Sequence, residues 1–448
     1  MKAEILARYA DRPLPRYTSY PTAPHFVAAG SDTYRIWLKA VPTGSDTSLY
    51  LHLPFCRSMC WYCGCHTTVT ARDEPIAAYI DALHREIDLV ADALPQRIAV
   101  KHVHFGGGTP TLMQPAQFIA LMAKLRDRFD VTPDAEIAIE IDPRTLEKAM
   151  VDALAVGGVN RASLGVQSFD PIVQRAINRV QTFDETRTAV TRLRAAGIAA
   201  INFDLIYGLP HQTVESCLDT AAQSLELDPD RFAVFGYAHV PAFKRHQRKI
   251  QESALPDGAN RLAQAEAIAA GLVAADYRRI GLDHYARPGD ALAVAAENGA
   301  LHRNFQGYTT DACETLIGFG ASSIGRLPQG YVQNAVLIGD YQRRIAAGEL
   351  AASKGCTFAP DDRLRAAVIE RIMCDYEVDL DEVCGRFGAD PDTLLADGGL
   401  DQLYEDGIVR RDRNVIAIAD GARPLVRVLA AAFDQYLGAA PARHSRAV

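Results

Sequence analysis

A chain of 448 residues can bury a large core and is long enough for two or three domains. Its composition, 48% hydrophobic and 23% charged, is that of a globular protein rather than a disordered or fibrous one. Lys and Arg total 47 against 55 Asp and Glu, a net charge of −8, which excludes a global nucleic-acid or anionic-membrane footprint and leaves an anionic substrate in need of a local basic pocket. The stretch Met1–Asp11 contains no uninterrupted apolar region, and no 18-residue apolar run occurs, so the expectation is a cytoplasmic chain without secretory signal or membrane insertion.

Residues 1–46 are irregular and rich in Pro, Tyr, Thr and Ser, and read as an N-terminal arm or lid. From residue 47 short apolar runs alternate with longer amphipathic ones. The strand candidates are Leu49–Leu53, His102–Phe105, Ile137–Ile141, Ala162–Val166, Ile201–Ile206 and Phe232–Tyr237. Between them lie helix candidates near 75–93, 115–129, 146–156, 171–177, 184–196 and 213–227. The second of these has Phe118, Leu121, Met122 and Leu125 on one helical face. Six β-α units with short connections predict an α/β fold with a parallel sheet, a partial (β/α)6 TIM-like barrel.

In such barrels chemistry gathers where the strands end. Here the strand ends deliver a cysteine loop, Gly106-Gly-Gly-Thr-Pro110, Glu140-Ile-Asp142, Gln167-Ser168, Asp204 with Tyr207-Gly-Leu-Pro210, and Tyr237-Ala-His-Val-Pro241. Beyond 241 come a basic run, Lys244–Lys249, a helix near 257–275 and turn-rich polar stretches. The run reads either as an anion contact or as a solvated charged face. The catalytic domain is taken to extend over 47–355. From 356 to 448, helices over 362–374, 380–387 and 391–404, two short strands, a helix near 423–437 and a ragged tail, Ala439–Val448, suggest a mainly helical, winged-helix-like domain.

Four of the nine cysteines fall within ten residues, as Cys56-x3-Cys60-x2-Cys63-x-Cys65. Structural zinc usually takes two knuckles a dozen or more residues apart, and one tetrahedron built from this single loop would be strained. The pair in Cys60-Trp-Tyr-Cys63 does not open a helix after a thioredoxin-like strand. An iron–sulfur cluster fits better, because thiolates at positions 1, 5 and 8 of a loop wrap one side of a cubane and leave its fourth iron open.

Cys56-x3-Cys60-x-Tyr62-Cys63 after a first strand, with a Gly-rich turn after the second, resembles the radical S-adenosylmethionine enzymes. Arg16-Tyr-Thr-Ser-Tyr-Pro-Thr22, Tyr50-x-His52-x-Pro-Phe-Cys56, the extra Cys65, Gly106–Thr111, Asn178-Arg179 and His302–Thr310 narrow the resemblance to the oxygen-independent coproporphyrinogen III oxidases, over about residues 12 to 435. The resemblance implies that Cys56, Cys60 and Cys63 bind a [4Fe–4S] cluster, Cys65 being no ligand. S-Adenosylmethionine would chelate the open iron and contact Tyr50, Gly107, Gly108, Thr109, Glu140, Gln167, Arg179, Asp204, Ala238 and Ile324. A second S-adenosylmethionine would lie near Phe305 and Gln306, and His52 and Glu140 would join these two as catalytic residues.

The implied reaction turns two propionates of coproporphyrinogen III into vinyl groups with loss of CO2, giving protoporphyrinogen IX. It starts from a 5′-deoxyadenosyl radical and needs a low-potential electron donor and an electron acceptor; family habit implies a monomer. For the propionates the basic candidates are Arg16, Arg248 in the 244–249 run, Arg287 and Arg303, with Tyr17 and Tyr20 covering the macrocycle. Heme chaperones related to this family are the nearest rival, but they typically lack the arm and a cysteine at the place of Cys65. A heme-degrading radical methyltransferase and a zinc-stabilised interaction protein are more distant ones.

Overall fold

Six strands, Asp46–Leu53, Ala99–Gly107, Asp130–Ile141, Arg161–Gln167, Ala200–Tyr207 and Arg231–Gly236, pair in parallel in chain order in the computed structural model. The structure describes residues 5, 8–9, 12–397 and 399–438, so the tail Ala439–Val448 and most of Met1–Asp11 lie outside it. Helices Glu74–Ala93, Pro115–Arg128, Lys148–Val156, Pro171–Ala176, Phe183–Ala195 and Val214–Glu226 form the crossovers. Their starts are written locally. Thr182 Oγ1 accepts from the Glu185 amide at 3.1 Å while the Glu185 carboxylate accepts from the Thr182 amide at 2.7 Å, a capping box.

Strand alternation then decides the two faces of the sheet. Val103 and Phe105 of strand two, Ile137 and Ile139 of strand three and Phe203 of strand five pack with the helices in one apolar core. The intervening His104, Glu140, Ser163, Asn202 and Asp204 hydrogen-bond with one another across the other face, which is therefore polar.

The sheet is larger than its six expected strands. Thr315–Phe319 joins strand one in parallel, making a seventh parallel strand, and short antiparallel strands extend both edges to a 13-stranded sheet. One terminal strand is Val27–Ala28 and the other Arg278–Ile280, with no pairing between them, so the barrel is partial. The seventh strand was not legible because Thr315–Phe319 is short and contains a glycine.

The join at this seventh strand is held from beneath by a buried carboxylate. Glu86 accepts from the Gly320 amide at 2.7 Å, Asn334 Nδ2 at 2.6 Å and the Tyr341 hydroxyl at 2.8 Å. Beside it, the Tyr79 hydroxyl donates to the His52 carbonyl at 2.8 Å and accepts from the Ala321 amide at 2.7 Å.

The first 46 residues do not act as one arm. Val27–Ala28 pairs with Ala352–Thr357, and Ser31–Lys39 packs Tyr34, Trp37 and Leu38 into the barrel core. Residues before Pro21 belong instead to the second core, where Tyr9, Leu14, Tyr17 and Tyr20 pack with Val368, Ile372, Leu425 and Phe433. That C-terminal part carries helices Asp362–Asp375, Leu380–Phe387, Pro391–Asp397 and Asp401–Glu405 and a three-stranded sheet of Glu377–Asp379, Val415–Ile418 and Val409–Asp412. Its last helix is shorter than 423–437, the α-helical part being Val426–Ala431.

Glu86→Ala strands three buried donors, each at a cost of roughly 1–3 kcal/mol. The expected outcome is a loss of at least about 3 kcal/mol, read as a lower urea midpoint of the cofactor-free chain.

Candidate active site

The cysteine loop has little regular structure of its own and is held from outside. The Trp61 amide donates to the Ile177 carbonyl at 2.8 Å, and Asn178 Nδ2 donates to the Met59 carbonyl at 2.8 Å. Gln247 Nε2 donates to the Tyr62 carbonyl at 2.9 Å and Lys244 Nζ to the Cys65 carbonyl at 3.0 Å, and a His246 ring nitrogen lies 2.7 Å from the Cys63 carbonyl. The basic run thus has two sides: Lys244, His246 and Gln247, in and beside the 3-10 turn Arg245–Lys249, clasp the loop, while Arg245, Arg248 and Lys249 are exposed. Arg248 Nε donates to the Pro241 carbonyl at 3.3 Å, and its side chain lines none of the cavities described below.

The loop closes a cleft of about 350 Å³ lined by Cys56, Cys60, Cys63 and Cys65 together with Gly107, Gly108, Thr109, Glu140, Gln167, Arg179, Asp204 and Ala238. Hydrogen-bond donors surround the first three sulfurs. Thr67 and Thr109 hydroxyls stand 3.2 and 3.6 Å from Cys56 Sγ, and the Cys65 amide donates to Cys63 Sγ at 3.4 Å. The guanidinium groups of Arg144 and Arg179 each reach 3.7 Å from Cys60 Sγ. Hydrogen bonds from Cys65, with the charges of His246 and Lys244, hold the Cys63 thiol below the usual thiol range despite its burial. A donor set of this kind fits thiolates that ligate a metal cluster.

The triglycine turn packs under the loop. A Cβ on Gly108 would stand 2.4 Å from the Phe55 carbonyl, and Gly107 has φ +119°. Three of its amides are taken up within the protein. Gly107 donates to Glu140 at 3.1 Å, Gly108 to the Leu53 carbonyl at 2.9 Å and Thr109 to the Phe55 carbonyl at 2.7 Å. The glycines serve the close approach of strand two to the loop.

Two lumen carboxylates are driven apart electrostatically. Burial pushes Glu140 up, but a hydrogen bond and charge from His104 (3.3 Å) and the Gly107 amide outweigh it and keep Glu140 below the usual range. Asp204 is pushed up to about 7 by burial and by the Glu140 charge, against hydrogen bonds from Ser163 and Asn202. Glu140 is therefore ionised near neutral pH, whereas Asp204 titrates there. Arg179 bonds the Gly165 carbonyl at 2.7 Å and shares Asp142 with Arg144.

A larger cavity, about 610 Å³, adjoins the cleft. Both are lined by Arg16, Phe235, Gly236, Tyr237 and Ala238. Around the larger one stand Arg16, Arg261, Arg279, Arg303 and Arg427, against Glu252, Glu266 and Asp283. Burial, then repulsion from Arg16 and Arg303, pushes the Arg427 guanidinium below the usual arginine range, the signature of crowded cations. Arg427 donates to the carbonyls of Leu14 and Pro15, and Arg303 Nη2 donates to that of Arg16 at 3.3 Å.

Several expected site residues lie elsewhere. His52 is buried behind the glycine turn, one ring nitrogen 2.9 Å from the Tyr50 hydroxyl and the other 3.0 Å from the His66 carbonyl, so both residues back the cleft without lining it. Phe305 and Gln306 form the tip between strands His302–Asn304 and Gly307–Thr309, with the Phe305 ring 6.0 Å from that of Tyr331. Ile324 opens Ile324–Leu327, where its carbonyl lies against Gly318. These three line neither cavity.

Tyr17 and Tyr20 line neither of these two cavities and pack in the C-terminal core. Tyr17 donates to Asp434 at 3.0 Å, and Tyr20 accepts from the Gln435 amide at 3.1 Å. Arg287 sits at the wrong end of the barrel, paired with Asp228 and stacked 4.9 Å over the Tyr277 ring at the start of strand six. Conversely, Arg144 was overlooked two residues past Asp142 at an already noted strand end. Arg261, Arg279 and Arg427 carry no local signal.

The comparisons agree with this geometry at two levels. Residues 50–223 match the model of the Radical SAM superfamily, whose enzymes use a [4Fe–4S] cluster and S-adenosylmethionine, and the cysteine cleft fits both. The chain is 60% identical to the oxygen-independent coproporphyrinogen III oxidase of Bradyrhizobium diazoefficiens, over 100% of each chain. It is 45% identical to that of Paracoccus denitrificans, over 98% of this chain and 97% of the relative. The solved structure of the coproporphyrinogen III oxidase from Escherichia coli, a radical SAM enzyme, superimposes with a TM-score of 0.90 at 38% identity, covering 95% of this chain and 100% of that one. The chain belongs to the oxygen-independent coproporphyrinogen III oxidase family.

Cys56→Ala is expected to abolish cluster assembly and Cys65→Ala to leave it intact, as measured by iron content and visible absorption after anaerobic reconstitution. Asp204, and Glu86, which burial raises to about 7, bind protons more tightly folded than unfolded. Stability of the cofactor-free chain should therefore fall as pH rises from about 4 through 7. Asp204→Asn should remove its share of that slope in urea midpoints recorded across the range, and an unchanged slope would refute the assignment.

Proposed function

We propose that this chain is an oxygen-independent coproporphyrinogen III oxidase, oxidatively decarboxylating two propionates of coproporphyrinogen III to vinyl groups in porphyrin biosynthesis. One observation carries the reading: the thiol-lined cleft and the arginine-lined cavity are contiguous across Phe235–Ala238, so a polycarboxylate and a cluster-bound cofactor can meet. In each round a hydrogen atom leaves a propionate β-carbon, CO2 departs and an electron passes to an acceptor.

Cys56, Cys60 and Cys63 are the residues to hold the cluster. Thr109, Glu140, Gln167, Arg179 and Asp204 are placed to hold S-adenosylmethionine, and when bound the pair supplies the hydrogen-abstracting radical. Glu140 accepts hydrogen bonds from a cationic or hydroxyl group, and Asp204, pushed up to about 7, titrates beside it. Arg144 and Arg179 offset the negative charge gathered at Cys60. Gly236, in the wall shared by the two cavities, lets the Tyr207 hydroxyl pack close, since a Cβ there would come within 2.9 Å of it. Arg279, Arg303 and Arg427 are candidates for the substrate carboxylates, whose arrival relieves the crowding of cations. Among the described residues no helix is long and apolar enough to cross a membrane. A cytoplasmic monomer supplied by a separate low-potential donor and served by a separate acceptor completes the proposal.

Anaerobic assay of the reconstituted protein with coproporphyrinogen III, S-adenosylmethionine and a strong reductant should yield CO2 and vinyl products. A protein that loads iron and binds heme yet never turns over would favour the chaperone reading. Arg279→Ala should raise KM about tenfold or more, the loss of one charge-assisted hydrogen bond, with iron content unchanged.

A further inference from the structure

A second cluster of ligand-type side chains lies near the starts of the strands, away from the cysteine loop. His102 of strand two, Asp311 and Cys313 each offer one ligand atom, and these three atoms all lie within 4.8 Å of one another. Asp311 and Cys313 stand in the turn that precedes the seventh parallel strand, Thr315–Phe319, two strands away from His102 in the sheet.

The separation of the nitrogen and oxygen suits a small tetrahedral ion. His102 Nε2 and Asp311 Oδ1 are 3.7 Å apart. Zinc bonds of about 2.0–2.2 Å to nitrogen and oxygen place two such ligands roughly 3.4 Å apart. The carboxylate is already oriented, as a metal ligand's would be. Ser48 donates to Asp311 Oδ2 at 2.5 Å, the Cys313 amide donates to Oδ1 at 2.9 Å, and the Asp311 amide donates to Thr309 Oγ1 at 3.0 Å. Ser48 is buried and belongs to strand one, so the support comes from the sheet itself.

We propose that His102, Asp311 and Cys313 bind a zinc-type divalent cation, with water completing the coordination. One nitrogen, one oxygen and one sulfur favour such an ion over calcium or magnesium, which take oxygen sets. The ion ties strand two to the turn that follows the hairpin His302–Thr309, and so steadies the base from which Arg303 reaches the arginine cavity. The site is separate from the cluster and does not depend on the reaction proposed above.

The test uses the cluster-loaded holoenzyme, in which the loop cysteines are occupied. After added zinc and dialysis against a weak chelator, metal analysis should find about one zinc per chain, and zinc-edge X-ray absorption should find one sulfur neighbour at about 2.3 Å among nitrogen and oxygen. Cys313→Ser and His102→Ala should weaken zinc binding at least tenfold. Ser48→Ala, a milder change that keeps all three ligands, should weaken it about 10- to 100-fold with iron content unchanged. Cys217→Ser, in the helix Val214–Glu226, should retain the zinc. Three or more sulfur neighbours would place the ion on the cysteine loop and overturn the proposal. A holoenzyme that retains no zinc, or variants that bind it as tightly as the parent, would do the same.

Discussion

A loop that brings Cys56, Cys60 and Cys63 into one cleft must be held by something other than itself, because it has almost no regular structure. Here the restraint comes from two places far apart in sequence. Ile177 and Asn178 follow strand four, and the segment Lys244–Gln247 follows strand six, and between them they bond the backbone of Met59, Trp61, Tyr62, Cys63 and Cys65. The glycine turn after strand two presses on the same loop from below, where a Cβ at Gly108 would collide with the Phe55 carbonyl. The sheet sets the geometry of these contacts, so the cluster site depends on the barrel being correctly assembled.

The same sheet sorts polar chemistry by face. Its outer side is a continuous apolar core, and its inner side carries Glu140, Asp204, His104 and Ser163 facing one another. In that confined space the two carboxylates cannot both ionise freely, and His104 with the Gly107 amide decides which one does. Cations are segregated beyond strand six, where arginines from the barrel, the hairpin and the C-terminal domain converge on one cavity. An acidic protein thereby holds a basic pocket, as its net charge had required of any anionic substrate. The N-terminal segment is stitched into that pocket by its carbonyls rather than lying loosely over it.

The six parallel strands and their helices were legible because hydrophobic period and turn residues act locally: Phe118, Leu121, Met122 and Leu125 mark a helix face whatever surrounds them. The cysteine spacing was equally local, and so were the glycine turn and the polar strand ends, most of which line the cleft. Resemblance added Arg179, which no local rule would have selected, and singled out Ala238 within a strand end already noted. What failed was whatever depended on direction in space. Arg287 and Arg303 look alike in the chain, yet one pairs with Asp228 near the start of strand six and the other reaches the arginine cavity.

The sequence by itself determined the class of fold, the clustering of the cysteines and the family, since each rests on spacing between near neighbours or on long shared motifs. Only the tertiary structure decided that the basic run clasps the cysteine loop, that Tyr17 and Tyr20 are core residues of the C-terminal domain, and that Arg427 joins Arg16 around one cavity. Those outcomes depend on contacts between segments up to about 400 residues apart, and a charged or aromatic side chain carries no local mark of which distant partner will bury it.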